Sequence, residues 1–87
     1  MRVKDIRISR NLSVDELVEL INTASKFESE ILIKSNSFTI DAKSLMGVIS
    51  MIIPNITITL VTKGEDEEEA LQEVSRFFIE KMNRNLY

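Results

Sequence analysis

The spacing of apolar residues changes several times along this chain of 87 residues, and each change indicates a different kind of secondary structure. Apolar residues two positions apart are typical of a strand with one buried face, whereas spacings of three and four are typical of an amphipathic helix. The resulting order is strand, helix, strand, strand, short helix, strand, helix. We expect strands at residues 3–8, 30–34, 38–42 and 56–62, and helices at 14–24, 44–52 and 66–82. This order favours an α+β layer in which one sheet carries its helices on one face.

The starts of the helices are marked by residues that can bind free backbone amides. Ser13 and Glu16 have the spacing of a capping box, in which each side chain accepts a hydrogen bond from the backbone amide of the other. Asp66 and Glu69 give the last helix a similar start. Ser44 can cap the short central helix, which the sequence predicts to end before Pro54.

The apolar stripes predict which face of each long helix is buried. In the first helix the stripe consists of Val14, Leu17, Val18, Ile21 and Ala24. In the last helix it consists of Ala70, Leu71, Val74, Phe77, Phe78 and Met82. We expect at least one of the two phenylalanines to lie in the core.

The composition excludes several classes of chemistry. The chain has no Cys and no His, so thiolate nucleophiles, serine–histidine pairs, phosphohistidine and the usual zinc sites are all excluded. The acidic run from Glu65 to Glu69 lacks the spacing of a calcium loop, and we expect it to be a solvated helix start. The sequence therefore predicts no metal site and no cofactor.

Charge and hydropathy limit the partners and the location. The net charge is −3 and the sequence pI is about 4.9, which argues against direct binding to nucleic acid. The apolar stretches are only a few residues long, far short of the roughly 20 that span a bilayer. We therefore expect one cytoplasmic domain over residues 1–87, with protein partners and no membrane contact.

The residues around the short central helix resemble those of a known family. The segment Asp-Ala-Lys-Ser-Leu-Met-Gly-Val-Ile-Ser-Met at residues 41–51 is similar to the regulatory-serine segment of HPr, the small phosphocarrier of the bacterial sugar phosphotransferase system. Residues 23–27 and 64–71 resemble the family's counterparts in the same order. The resemblance implies an HPr-like open-faced β-sandwich (βαββαβα), a four-stranded antiparallel sheet with three helices on one face.

The resemblance fails at the family's phosphoryl-accepting motif, Gly-Ile/Leu-His-Ala-Arg-Pro. Ser13 stands at the position of the histidine, Asp15 at that of the arginine and Glu16 at that of the proline. An unassisted hydroxyl is a weak nucleophile, and Asp15 repels a phosphoryl group that an arginine would attract. The comparison therefore implies a non-catalytic protein in which Ser13 is a helix cap. The alternative is a degenerate phosphocarrier that accepts phosphoryl from enzyme I on Ser13 or Asp15.

Ser44 matches the serine that HPr kinase/phosphorylase modifies in Gram-positive relatives, so the resemblance implies regulatory phosphorylation there. In the family an exposed apolar patch after this serine docks partner proteins. We assign this role first to Leu45 and Met46 and then to Ile49 and Met51, while Val48 and Ile52 are expected to face the core.

The implied partners are HPr kinase/phosphorylase, a catabolite transcription regulator and proteins of the phosphotransferase system. The unusual charges of Asp15 and Glu16 count against the regulator, which in the family also contacts the first helix. A structural interaction domain without phosphorylation is the third hypothesis. The open edges of a four-stranded sheet leave two states of assembly, a monomer or a strand-exchanged dimer.

Overall fold

The computed structural model describes residues 1–50 and 55–83. Its elements are β1 (Arg2–Ile8), α1 (Val14–Ala24), β2 (Glu30–Lys34), β3 (Thr39–Asp41), α2 (Leu45–Ile49), β4 (Ile56–Lys63) and α3 (Glu67–Met82). The predicted order of elements is confirmed. β3 and α2 are shorter than expected, because β3 begins at Thr39 and Ser50 forms the C-terminal cap of α2. The predictions for Met51, Ile52 and Pro54 lie outside the described residues.

The four strands form one antiparallel sheet with the order β1-β4-β2-β3. Ile6 of β1 pairs with Ile58 of β4, and Ile33 of β2 lies between Leu60 and Ile40. These residues are buried beneath the helices. The fold class, a four-stranded sheet with three helices on one face, is confirmed.

The last helix buries its predicted stripe. Ala70, Val74, Phe77 and Phe78 are buried, while Leu71 and Met82 are partly buried against the core. Both phenylalanines, not one, belong to the core, and their rings meet edge to face with centroids 5.4 Å apart. Such pairs stabilise a core beyond the burial of their area.

The predicted stripe of α1 is partly wrong. Leu17 and Ala24 are buried as predicted, but so is Leu20, which the stripe omitted, whereas Val14 is 64% exposed and Val18 is 41% exposed. Successive helical residues are rotated by about 100°, so Val14 and Val18 lie well to one side of the direction that Leu17, Leu20 and Ala24 share. The spacing of apolar residues predicted the helix, but the contacts with the sheet and the other helices set which part of the stripe is buried.

The turn between β4 and α3 depends on a glycine and a carboxylate. Gly64 has φ +152° and lies so close to Ser29 that an added Cβ would be 2.7 Å from the Ser29 Cα, so only glycine fits. Asp66 occupies the N-cap of α3 but makes no capping bond. Its carboxylate accepts hydrogen bonds from the amides of Glu28 and Ser29, each at 2.9 Å, and the Ser29 contacts hold its pKa below the usual range. The predicted capping role of Asp66 is therefore wrong, because its carboxylate oxygens accept hydrogen bonds from the loop before β2 instead of from the first turn of α3.

The two faces of α1 predict different costs for truncation. Leu20→Ala removes a fully buried side chain and should lower the free energy of unfolding by about 2–5 kcal/mol. Val18→Ala, on the same helix, should cost less than about 1 kcal/mol because its side chain is substantially exposed. Urea denaturation of both variants measures the difference, and equal costs would contradict this orientation of α1.

Candidate functional site

The N-terminus of α1 is the position of the phosphoryl acceptor in the family that this sequence resembles. Ser13 Oγ accepts a hydrogen bond from the Glu16 amide at 3.1 Å, and Glu16 Oε1 accepts one from the Ser13 amide at 2.9 Å. The predicted capping box is confirmed. Ser13 is exposed, and its hydroxyl already satisfies one of the amides that a helix start leaves free.

Glu16 is also bound by Arg10, a residue that the sequence patterns did not single out. The Arg10 guanidinium donates to both Glu16 carboxylate oxygens, at 3.1 and 2.9 Å. It also donates to the Lys81 carbonyl at 2.7 and 3.0 Å and to the Asn11 carbonyl at 2.8 Å. Arg10 thus links the start of α1 to the end of α3. No local spacing signals this contact, since Arg10 and Lys81 are 71 positions apart.

This contact changes the electrostatics expected at the start of α1. The Arg10 hydrogen bonds lower the pKa of Glu16 from 4.5 to about 2, and the Ser13 amide adds to the effect. The negative charge of Glu16 is therefore paired with Arg10, while Asp15 is exposed. A carboxylate with so low a pKa is a poor proton acceptor, so it cannot serve Ser13 as a general base near neutral pH.

The other candidate position, Ser44, lies at the N-terminus of α2. Its hydroxyl accepts from the Gly47 amide at 3.3 Å, and its side chain is half-buried. The predicted capping role of Ser44 is confirmed. The ammonium of Lys43, the preceding residue, donates to the Phe27 carbonyl at 2.6 Å, in the loop after α1.

The residues after Ser44 divide between the core and the solvent. Val48 is fully buried. Leu45 is 50% exposed, Met46 is 83% exposed and Ile49 is 39% exposed. We call these three residues the α2 patch. Met51, the fourth residue assigned to partner binding, lies outside the described residues.

The acidic run at the start of α3 is largely solvated, as expected, since Glu65, Glu68 and Glu69 are exposed, but some of its carboxylates also contact the N-terminal residues. Glu67 accepts from the Met1 ammonium at 2.8 Å, which lowers its pKa, and Arg2 lies 3.6 Å from both Glu67 and Glu68. Within residues 1–50 and 55–83, no three acidic side chains come together as a metal site would require. In the same part of the chain, no helix is both long and apolar enough to cross a membrane.

Comparison with known proteins places this fold and site in one family. The sequence pattern of the family described as "PTS HPr component phosphorylation site" matches residues 6–80. The chain therefore belongs to the HPr family of the phosphotransferase system. Since it contains no histidine, the chain cannot itself carry a phosphohistidine.

Individual relatives include both HPr and HPr-like proteins. The HPr-like protein Crh of Halalkalibacterium halodurans is 36% identical over 78 residues, which cover 88% of this chain and 92% of that protein. An HPr structure from Thermoanaerobacter tengcongensis has a TM-score of 0.87 at 29% identity and covers 99% of this chain and 100% of its own. The structure of Bacillus subtilis Crh, described as a dimer with a swapping domain, has a TM-score of 0.73 at 27% identity and covers 93% of both chains. The chain is thus a divergent, HPr-like member of the family.

The Arg10–Glu16 pair predicts a specific dependence of stability on pH. Because the folded-state pKa of Glu16 is about 2 and its usual value is 4.5, its contribution is complete above about pH 4.5 and is lost as the pH falls towards 2. Glu16→Gln removes this titrating pair and should lower the free energy of unfolding near pH 7 by about 1–3 kcal/mol. The difference between wild type and Glu16→Gln should shrink as the pH is lowered through that window.

Chemical denaturation at a series of pH values measures this difference. Glu80→Gln is the matched control, since it removes an exposed carboxylate from α3. A wild-type advantage over Glu16→Gln that stays constant down to about pH 2 would show that the Arg10 contact does not stabilise the charged carboxylate.

Proposed function

We propose that this HPr-family protein is a non-catalytic regulatory module that binds partner proteins through α2 and is switched by phosphorylation of Ser44. The observation that carries the proposal is the α2 patch, three exposed apolar side chains directly after a serine at a helix start. We propose further that residues 1–87 act as one domain in the cytoplasm and need no cofactor.

The contacts at the start of α1 support a regulatory rather than a carrier role. The Ser13 hydroxyl is a helix cap, and the carboxylate that touches Ser13 is held ionised by Arg10. A serine needs a nearby base to attack a phosphoryl donor, and Glu16 is unsuited to that task because of its low pKa. Exposed Asp15 adds negative charge where an incoming phosphoryl group would approach.

The surroundings of Ser44 are suited to a charged modification. A phosphate there would carry a charge of about −1.5 to −2 and would accept hydrogen bonds from the amides of the first turn of α2. Lys43 lies next in the sequence, and its ammonium could pair with the phosphate in exchange for the Phe27 carbonyl that it now binds. Phosphorylation would then place a strong negative charge beside the α2 patch without unfolding α2.

A partner that recognises this surface would combine apolar and charged contacts. Leu45, Met46 and Ile49 supply apolar area, and the flexible thioether of Met46 adapts to surfaces of different shape. A basic group on the partner would pair with the phosphate. HPr kinase/phosphorylase, a catabolite transcription regulator and phosphotransferase-system proteins are the partners that we propose for this surface.

Phosphorylation can be tested by intact mass with site localisation after two separate reactions. Incubation with ATP and HPr kinase/phosphorylase should add one phosphoryl group on Ser44, and Ser44→Ala should abolish it. Incubation with phosphoenolpyruvate and enzyme I should add none. Ser13→Ala is the matched control, which should lose about 1 kcal/mol of stability through its cap but keep the Ser44 adduct.

Two results would contradict the proposal in different ways. A phosphoryl group on Ser13 or Asp15 in the enzyme I reaction would establish a carrier role. An acyl phosphate on Asp15 would be labile to base, whereas phosphoserine survives acid. No adduct in either reaction would leave a structural interaction domain without a switch.

The α2 patch predicts a separation of binding from stability. Met46→Gln changes a side chain that is 83% exposed, so the free energy of unfolding should change by less than about 0.5 kcal/mol. Binding of the Ser44-phosphorylated protein to the catabolite transcription regulator should weaken about fivefold or more, measured by calorimetry. Val3→Gln, a 58% exposed apolar position on β1, is the matched control, and an equal loss in both variants would contradict docking through α2.

A further inference from the structure

The outer edge of β1 is a second surface that the α2 site does not use. β1 pairs with β4 on one side, and no strand of the described part of the chain pairs on its other side. An edge strand of 7 residues presents alternate backbone N–H and C=O groups that can pair with an added strand. Natural edge strands are often protected by a proline, a bulge or charged side chains. Arg2–Ile8 contains no proline but carries Arg2, Lys4, Asp5 and Arg7, so an added strand must complement these charges.

A groove runs beside this edge, between β1 and α3. Its volume is 370 Å³, and its lining residues are Lys4, Leu71, Gln72, Ser75, Arg76 and Ile79. A neighbouring depression of 250 Å³ shares Lys4 and Ile79 and extends the groove towards Arg7 and Met82. Ile79 is an apolar side chain left 46% exposed. The groove thus runs beside residues 4–7 of β1 and offers apolar contacts along one wall.

The charged side chains that line this groove favour an anionic partner. No acidic residue lines the larger depression, and within residues 1–50 and 55–83 neither Lys4 nor Arg76 forms an ion pair. Asp5, the acidic residue of the smaller depression, accepts a hydrogen bond from the Thr59 hydroxyl at 2.8 Å. Ser75 is only 6% exposed, and its hydroxyl has no hydrogen-bond partner among the described residues. A buried hydroxyl without a partner is uncommon and marks a place where a ligand could supply one.

We propose that the β1 edge binds an extended acidic segment of a partner protein, which adds to the sheet as a fifth strand. In this mode backbone hydrogen bonds supply affinity, and the grooves beside the edge strand select side chains. Side chains alternate between the two faces of a sheet, and Lys4 shares its face with the buried residues Ile6 and Ile8, on the side of α3. Every second residue of the added segment would therefore face the groove. On that face its carboxylates would meet Lys4 and Arg76, and its apolar residues would contact Ile79 and Leu71. A segment in which acidic and apolar residues alternate along this one face fits best.

Charge argues against a second copy of this chain as the occupant. β1 carries Arg2, Lys4 and Arg7 against one acidic residue, Asp5. Two such strands side by side would join two segments that each carry an excess of positive charge, which disfavours their association. An acidic strand meets the same residues with favourable charge. This surface is independent of the proposed switch, since it involves β1 and α3 rather than α2.

The test uses a fluorescein-labelled peptide with the repeat Glu-Thr-Val-Thr, in which Glu and Val alternate along one face of the strand. We call it the Glu-Val peptide and follow its fluorescence anisotropy with the whole protein. We expect saturable binding with a dissociation constant below about 1 mM, and NMR shift changes confined to β1 and α3. The same peptide with Lys in place of Glu should not bind. A Glu-Val peptide that is N-methylated at alternate residues should also fail, because it cannot form the backbone ladder.

Variants of the protein test the charge contacts. The double variant Lys4→Glu/Arg76→Glu should bind the Glu-Val peptide about tenfold more weakly than wild type. The neutral double variant Lys4→Gln/Arg76→Gln should lose less affinity. Lys26→Glu, an exposed cation beyond the end of α1, is the matched control and should leave binding within about twofold of wild type. The peptide controls use the wild-type protein, so they test the proposal even if the double variants fold poorly.

The proposal is overturned by any of four results. These are the absence of saturable binding, equal binding of the Lys-Val or N-methylated peptide, equal loss in Lys26→Glu, and shift changes centred on α1 or α2. Such a result would leave the proposed Ser44 switch unaffected, because that switch involves α2 and is tested by a phosphorylation reaction rather than by peptide binding.

Discussion

The paired hydrogen bonds between Arg10 and Glu16 connect three separate parts of this small fold. Arg10 follows β1, Glu16 lies in the first turn of α1, and the Lys81 carbonyl that also accepts from Arg10 lies in the last turn of α3. Lys81 reinforces the connection through its own ammonium, which pairs with Glu19 at 3.0 Å and lies 5.4 Å from the centroid of the Phe77 ring. Paired, partly buried hydrogen bonds of this kind restrict geometry more strongly than single exposed ion pairs. The angle at which α1 enters the fold depends on them.

The same contacts bear on the proposed regulatory role. A phosphoryl-accepting helix start needs a nucleophile, a base and free positive charge. In this chain the Ser13 hydroxyl caps the helix, Glu16 is kept ionised, and Arg10 is saturated by carboxylate and carbonyl oxygens. The Ser44 hydroxyl is also a helix cap, so the feature that distinguishes α2 from α1 is the α2 patch of exposed apolar side chains beside the serine. This difference favours the proposal of a protein-binding module over that of a phosphocarrier.

Sequence periodicity was sufficient for the order of elements and for most of the core, but not for contacts between distant segments. The predicted stripe of α3 was correct, whereas that of α1 was displaced to one side, because it included the exposed Val14 and Val18 and omitted the buried Leu20. Asp66 had the sequence of a helix cap, yet the amides of Glu28 and Ser29 compete for its oxygens. Arg10 carried no signal, because its partners become neighbours only after folding. At α2, the local sequence predicted the cap. Val48 is the residue of this short helix that faces the core, and Leu45, Met46 and Ile49 are left exposed.

The Arg10 contacts also bear on the choice between a monomer and an exchanged dimer. Exchange of β1 requires the connection at residues 9–13 to change direction, and Arg10 lies within it. The Glu16 contact is local, but the bond to the Lys81 carbonyl is made to α3 of the same chain. Opening the connection would break this bond together with the whole pairing of β1 with β4, and an exchanged dimer would regain both only between chains. Short, strained connections favour exchange. In the monomer, by contrast, Arg10 ties this connection to α1 and α3 by hydrogen bonds. We therefore expect the monomer to be the favoured state, although Bacillus subtilis Crh is described as a swapped dimer.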